Sequence, residues 1–135
     1  MKIYYREKSG GIEILRCFGI EGRVEIPGMI DDKLVISAAP YAFSSHMDEK
    51  EDLKNASLWE VSDGLEFGRE EHVLAGNDVE EIVFPYTLKE IGRYIFYGCG
   101  NLKKLEFSDS LMQIGCGAFT GCHALEKLTV HMEQG

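Results

Sequence analysis

Cysteine and histidine are the side chains with the most chemistry to offer here, and their spacing decides how much of it they can perform. Cys99 and Cys122 lie 23 residues apart, Cys116 falls between them, and Cys17 sits in a separate apolar run. A zinc site needs CxxC-like pairs or a Cys/His set at finger spacing, and neither occurs, nor is Cys116 to Cys122 a usual zinc step. His46, His72, His123 and His131 share no HxxxH-like spacing. GxxxxGK[ST] and GxSxG are absent too, so neither a phosphate loop nor a nucleophile elbow is written in the chain. Asp31-Asp32 and Glu70-Glu71-His72 could each contact a cation, but they lack calcium-loop spacing. The expectation is no enzyme, no cofactor and no resident metal, with the cysteines packed as small hydrophobes.

What must position these residues is a repeat. Val79-Glu-Glu-Ile82-Val-Phe84 returns as Leu102-Lys-Lys-Leu105-Glu-Phe107 and as Leu125-Glu-Lys-Leu128-Thr-Val130, with 23 residues between matched apolar positions. Leu88, Ile91, Phe96, Gly98 and Cys99 recur in the same way as Leu111, Ile114, Phe119, Gly121 and Cys122. A period of this length falls in the leucine-rich-repeat window of roughly 20 to 29 residues, in which each coil buries its apolar face only by stacking on a neighbour. Phe43, Ile82, Phe84, Ile91, Phe96, Cys99, Leu102, Leu105, Phe107, Ile114, Phe119, Cys122, Leu125 and Leu128 are the predicted core columns. Cys99 and Cys122 then fall beside each other because they share a repeat position, which makes GCG at Gly98 to Gly100 punctuation of the repeat.

The whole chain, 1–135, reads as one such domain. In 1–19, Lys2 to Arg6 and Ile12 to Phe18 flank turn chemistry at Lys8-Ser9-Gly10-Gly11, predicting a β-hairpin that caps the first coil. A first repeat occupies 20–43: Ile26-Pro27 matches Phe84-Pro85, Leu34 to Ile36 matches Leu88 to Ile91 loosely, and Ala42-Phe43 matches Ile95-Phe96, with extra residues around Gly28 to Lys33. An insertion occupies 44–78, because 36 residues separate Phe43 from Val79 where 6 separate Phe119 from Leu125. Within it a helix is expected from about His46 to Asn55, capped by Ser44 or Ser45, with a short strand at Leu65 to Phe67. Leu58, Trp59 and Val61 are expected to pack the insertion onto the solenoid. Two and a half further repeats fill 79–130, and 131–135 is a tail.

The runs IPGMIDDKLVISAAPYAF, FPYTLKEIGRYIFYGCGNLKKLEF and SLMQIGCGAFTGCHALEKLTV resemble the BspA-type leucine-rich repeats of bacteria and some protists, with their Ile-Gly step, Ala-Phe, Gly-Cys and Leu-x-x-Ile/Leu. The likeness covers residues 20–43 and 79–130, and departs from the pattern at Ile95, before Phe96, and at Ser108, which replaces proline. It implies a right-handed solenoid with short parallel strands, rich in β and poor in helix, and a motif made of core positions with no catalytic residue. It also implies that members carrying signal peptides act as surface adhesins or host-binding proteins.

Function is then a matter of surface. The formal charge of −9 arises between Asp48 and Glu81, where twelve acids face Lys50, Lys54 and Arg69, while the rest balances at eleven of each sign. An acidic segment on a neutral body excludes a nucleic-acid footprint, and no run approaches the ~18 apolar residues of a membrane span. No export signal precedes the first strand, so a cytoplasmic location is expected, with the surface as the alternative if Met1 is not the native start. Stacked coils predict outward rows: Glu80, Lys103, Glu126; Arg23, Glu81, Lys104, Lys127; and Glu25, Val83, Glu106, Thr129. Two readings stand beside each other. Glu80, Lys103, Lys104, Glu106 and Lys127, together with Trp59 of the insertion, form a protein-binding surface, or the rows are a self-neutralising solvated face and Trp59 anchors the insertion. The alternative to an interaction module is a structural or terminal unit whose open last coil pairs with further repeats or another copy.

Overall fold

A computed structural model describes residues 1–46, 53–61 and 70–132. Twelve strands follow in chain order. They are β1 (Lys2–Lys8), β2 (Gly11–Gly19), β3 (Arg23–Glu25), β4 (Met29–Ile30), β5 (Lys33–Ala38), β6 (Ser57–Glu60), β7 (His72–Val73), β8 (Glu81–Val83), β9 (Glu90–Ile91), β10 (Lys104–Ser108), β11 (Gln113–Ile114) and β12 (Lys127–His131). The only helix among the described residues is one 3-10 turn at Gly76–Asp78.

The 23-residue period becomes two sheets, because each coil contributes one strand to either side of the core. The runs that open each repeat form a four-stranded parallel sheet ordered β12-β10-β8-β3. The Ile-Gly steps form the other, ordered β11-β9-β5-β2-β1-β6 along its main path. The expected hairpin caps the stack by joining this second sheet: β1 and β2 pair antiparallel and β2 lies parallel to β5. Ser9 and Gly10, both at positive φ, make its two-residue turn, whose twist suits hairpin strands. The extra residues of the first coil are a second small hairpin, β4 against β5, turned by Asp31 and Asp32 at φ 52 and 61. Those aspartates, considered above for a cation, are turn residues. Leu34 to Ile36 is not the counterpart of Leu88 to Ile91 in register; Ala38 pairs with Ile91.

Between the sheets run the predicted columns. Phe43 stacks on Phe96 at 6.1 Å, Phe96 meets Phe119 at 5.7 Å and Phe84 at 6.3 Å, and Phe43 and Phe96 are wholly buried. Ile114 and Leu128 depart from the expectation of a core role at 50% and 51% exposed, while Phe119, Cys122 and Leu125 are half-buried. The reason is one-sided packing, since β11 and β12 are the edge strands of their sheets and among the described residues no coil lies over theirs.

The insertion also differs from expectation. Most of the helix predicted from about His46 to Asn55, and all of the strand predicted at Leu65 to Phe67, lie outside the described residues. Where the helix prediction does fall on described residues, Leu53 to Asn55 form a turn, closed by the Ala56 N–H donating to Leu53 O at 3.1 Å with Asn55 at φ 66. Leu58 and Trp59 belong to β6, which pairs antiparallel with β1, so this part of the insertion lies along the cap, with Trp59 packed against the core.

A polar network ties the cap to the coils. Glu13, 1% exposed, accepts hydrogen bonds from Arg6 Nε at 2.8 Å, Lys8 Nζ at 3.1 Å and Ser37 Oγ at 2.8 Å. Lys8 also reaches Glu90 on β9 at 2.5 Å. Burial alone would push the Glu13 carboxyl up, but the hydrogen bonds from Ser37, Lys8 and Arg6 outweigh it and hold the group below its ordinary value. Glu90 is also lowered, chiefly by Lys8. A folded value below the unfolded one means stability that is present above the ordinary carboxyl value of 4.5 and is lost as pH falls through the folded value. Glu13→Gln should therefore cost about 2 kcal/mol at pH 7, since hydrogen bonds to a charged group are lost. Urea midpoints between pH 7 and 3 should also slope less in the variant than in the parent.

Candidate interaction face

The outward face of the four-stranded sheet is built by alternation. Val24, Ile82 and Leu105 turn into the core, so the residues on either side of each turn outward. Parallel pairing puts Arg23, Glu81, Lys104 and Lys127 in one row, and Glu25, Val83, Glu106 and Thr129 in the next. Backbone hydrogen bonds from Lys103 to Glu80 O at 2.8 Å and from Glu126 to Lys103 O at 2.9 Å extend the register one residue before the strands. Glu80, Lys103, Lys104, Glu106 and Lys127 are thus brought onto one sheet, and Trp59, on the other, is not among them.

The Arg23 row is less self-satisfied than its sequence suggests. Arg23 reaches Glu25 at 3.2 Å and Glu81 at 3.5 Å, but among the described residues Lys103, Lys104 and Lys127 form no salt bridge. The neighbouring row carries a second pair, His131 Nε2 to Glu106 Oε2 at 3.3 Å. Exposed pairs of this kind contribute at most about 1 kcal/mol each and are readily exchanged for a partner's charges.

At the carboxyl ends of these strands lies a cavity of about 240 Å³, lined by Glu25, Val83, Phe84, Tyr86, Glu106 and His131 among others. Sequence reasoning missed it. Its one trace was Ser108, read as a departure from proline: Ser108 Oγ donates to Tyr86 O at 3.2 Å, and Ser110 Oγ donates to the same carbonyl and to Leu88 O at 3.2 Å. Two hydroxyls thereby fix the backbone under Tyr86, whose ring stands 62% exposed beside the cavity. A second cavity, of about 420 Å³, is lined by Tyr41, His46, Tyr94 and Tyr97. Tyr94 is sandwiched there, stacked on Tyr41 at 5.6 Å and lying so close over Gly117 that a Cβ at that glycine would meet its ring at 2.2 Å.

The thiols and acids singled out for chemistry take structural places. Cys99 Sγ donates to Phe43 O at 3.3 Å and Cys122 Sγ to Phe96 O at 3.4 Å, so each thiol ties its coil to the phenylalanine carbonyl of the one before. Burial pushes the Cys99 and Cys17 thiols up to about 12, which leaves them protonated and poor nucleophiles at neutral pH. Glu71 accepts a hydrogen bond from the Met1 ammonium at 2.7 Å. Among the described residues no three His, Cys, Asp or Glu side chains gather as a metal set, and no helix is long and apolar enough to cross a membrane.

Residues 70–134 match the family model described as "BspA type Leucine rich repeat region (6 copies)". No curated protein matches the sequence. Two solved structures resemble the fold. A leucine rich repeat protein of T. pallidum superposes with a TM-score of 0.66 at 23% identity over 92% of this chain and 45% of its own. A leucine rich cell surface protein of Faecalibacterium prausnitzii does so with a TM-score of 0.61 at 18% identity over 94% of this chain and 30% of its own. The chain therefore spans less than half the length of either, and at these identities the likeness is one of fold.

Proposed function

Residues 70–134 are a BspA-type leucine-rich repeat region, and from that premise we propose that the chain is a non-enzymatic protein-interaction module whose partner meets the outward face of the four-stranded sheet. The observation that carries this reading is the set of lysines in two adjacent rows, Lys103 in one and Lys104 and Lys127 in the next, exposed and outside any salt bridge among the described residues, beside carboxylates held only by weak surface pairs. Such a face offers charge without having satisfied it internally, and it lies on the sheet through which leucine-rich repeats commonly bind proteins. Reversing Lys104 and Lys127 to Glu should weaken partner binding by about tenfold or more, chiefly through the off-rate, because charges at the centre of a contact act there. Biolayer interferometry against a partner recovered from the native host measures this, and an unchanged Kd would remove the face from the account.

A second reading, a structural unit that stacks end to end with further coils or another copy, is favoured by the apolar character of the last coil, where Met112, Ile114, Leu128, Val130 and Met132 are all exposed. Sedimentation that finds only monomers at high concentration would count against the second-copy form. If the protein is carried to the cell surface, where its F. prausnitzii neighbour is described as residing, the same face would serve as an adhesin.

A further inference from the structure

The cavity at the carboxyl ends of β3, β8 and β10 has a chemistry more specific than a charged face. Glu25 and Glu106 stand on either side of Val83 in one row, two strand spacings apart, or roughly 10 Å between backbones. Between them Val83 and Pro85 give the floor an apolar strip, with the buried Ile26 and Phe84 also lining it, and Tyr86 forms a wall fixed through its carbonyl by Ser108 and Ser110. An apolar trough with a carboxylate at each side and an aromatic wall matches one kind of side chain: a long aliphatic stem ending in a flat, multivalent cation.

The chain's own nitrogen groups mark where the carboxylates accept contacts. Arg23 Nη1 holds Glu25 Oε2 at 3.2 Å, and His131 Nε2 approaches Glu106 Oε2 at 3.3 Å with its ring edge-to-face with Tyr86 at 6.2 Å. Each is a single contact from a half-exposed side chain, so each carboxylate keeps a free oxygen and a readily displaced partner.

Resting on the reading of this face as a protein-binding one, we propose that the cavity seats one arginine side chain of a partner polypeptide, with its stem on Val83 and Pro85, its guanidinium between Glu25 and Glu106, and its plane against Tyr86. Arginine suits the site better than lysine because five N–H donors in a flat fork bridge two separated acceptors and stack on a ring, which a point ammonium does not.

The test is an NMR titration of the ¹⁵N-labelled chain with acetyl-Gly-Leu-Arg-Leu-Gly-amide and with its citrulline counterpart, which keeps shape and loses charge. The arginine peptide should shift the amides of Val83, Tyr86, Glu106 and His131, with at least about fivefold weaker binding for citrulline. Glu25→Gln and Glu106→Gln together, at exposed or half-exposed positions where the spectrum itself reports folding, should abolish the difference. Equal shifts from both peptides, or shifts centred elsewhere, would overturn the arginine seat. If the Lys104 and Lys127 reversals still release the native partner while the arginine peptide shows no preference, the face stands and this subsite falls.

Discussion

Replacing Gly92 with alanine should destabilise the protein by more than about 3 kcal/mol, a loss of roughly 10 °C in Tm for a domain of this size. A Cβ there would stand 2.3 Å from Pro40 N and 2.6 Å from Ala39 C, both backbone atoms of the preceding coil that cannot swing aside. The Ile-Gly step exists so that neighbouring coils can approach main chain to main chain. The whole second sheet would have to part at β5 and β9 to admit one methyl group. Two comparisons keep the result interpretable. Gly115→Ala meets Arg93 N at 2.2 Å but belongs to a coil with a neighbour on one side only in this chain, so it should cost clearly less. Gly10→Ala meets nothing within 4 Å and should cost only about 1 kcal/mol, for its left-handed φ of 81°. Thermal and urea unfolding of the three variants should rank 92, 115, 10. Equal losses at Gly92 and Gly10 would mean that coil spacing is not set by the glycine.

Phe96→Ala should cost about 3 to 5 kcal/mol, the range for a fully buried phenylalanine whose neighbours cannot collapse into the space. Its ring is the middle rung of the column, between Phe43 and Phe119 and against Phe84. Phe119→Ala, at a half-buried position with coils on one side, should lose about half as much. Chemical denaturation compares the pair. The contrast separates burial between coils from aromatic content, because the two residues occupy the same repeat position.

Residues that recur at one spacing could be read directly. The registers of Arg23, Glu81, Lys104 and Lys127, and of Glu25, Val83, Glu106 and Thr129, follow from period and alternation alone, as do the phenylalanine column and the neighbouring thiols. What could not be read depends on partners that the repeat does not encode. β6 and β7 pair with β1 and β2 across 52 to 58 residues, and two or four residues carry no periodic signal. Ile114 and Leu128 fit the pattern of core residues, but pattern reports which face a side chain takes, not whether a coil lies over it. Asp31-Asp32 could be weighed as a cation contact, and set aside only on spacing, because composition does not reveal positive φ. Glu13 and Arg16 sit among Ile12, Ile14, Leu15 and Cys17 in a run whose sequence gives no sign that its charges are enclosed, yet both are buried because the cap joins the sheet edge to edge. The cavity under Tyr86 was hidden for a related reason: Ser108 and Ser110 act on a carbonyl 22 and 24 residues earlier, and only the stacked coils bring them there.

Site-directed photocrosslinking in the native host locates the partner on the protein's surface. With p-benzoylphenylalanine placed singly at Tyr86, Lys104, Trp59 and Met29, the account predicts partner adducts of one mass from Tyr86 and Lys104, and none from Met29. Adducts confined to Trp59 would move the interaction to the insertion along the cap, and adducts from all four positions alike would mean that the outward face of the four-stranded sheet is solvated surface and not a binding site.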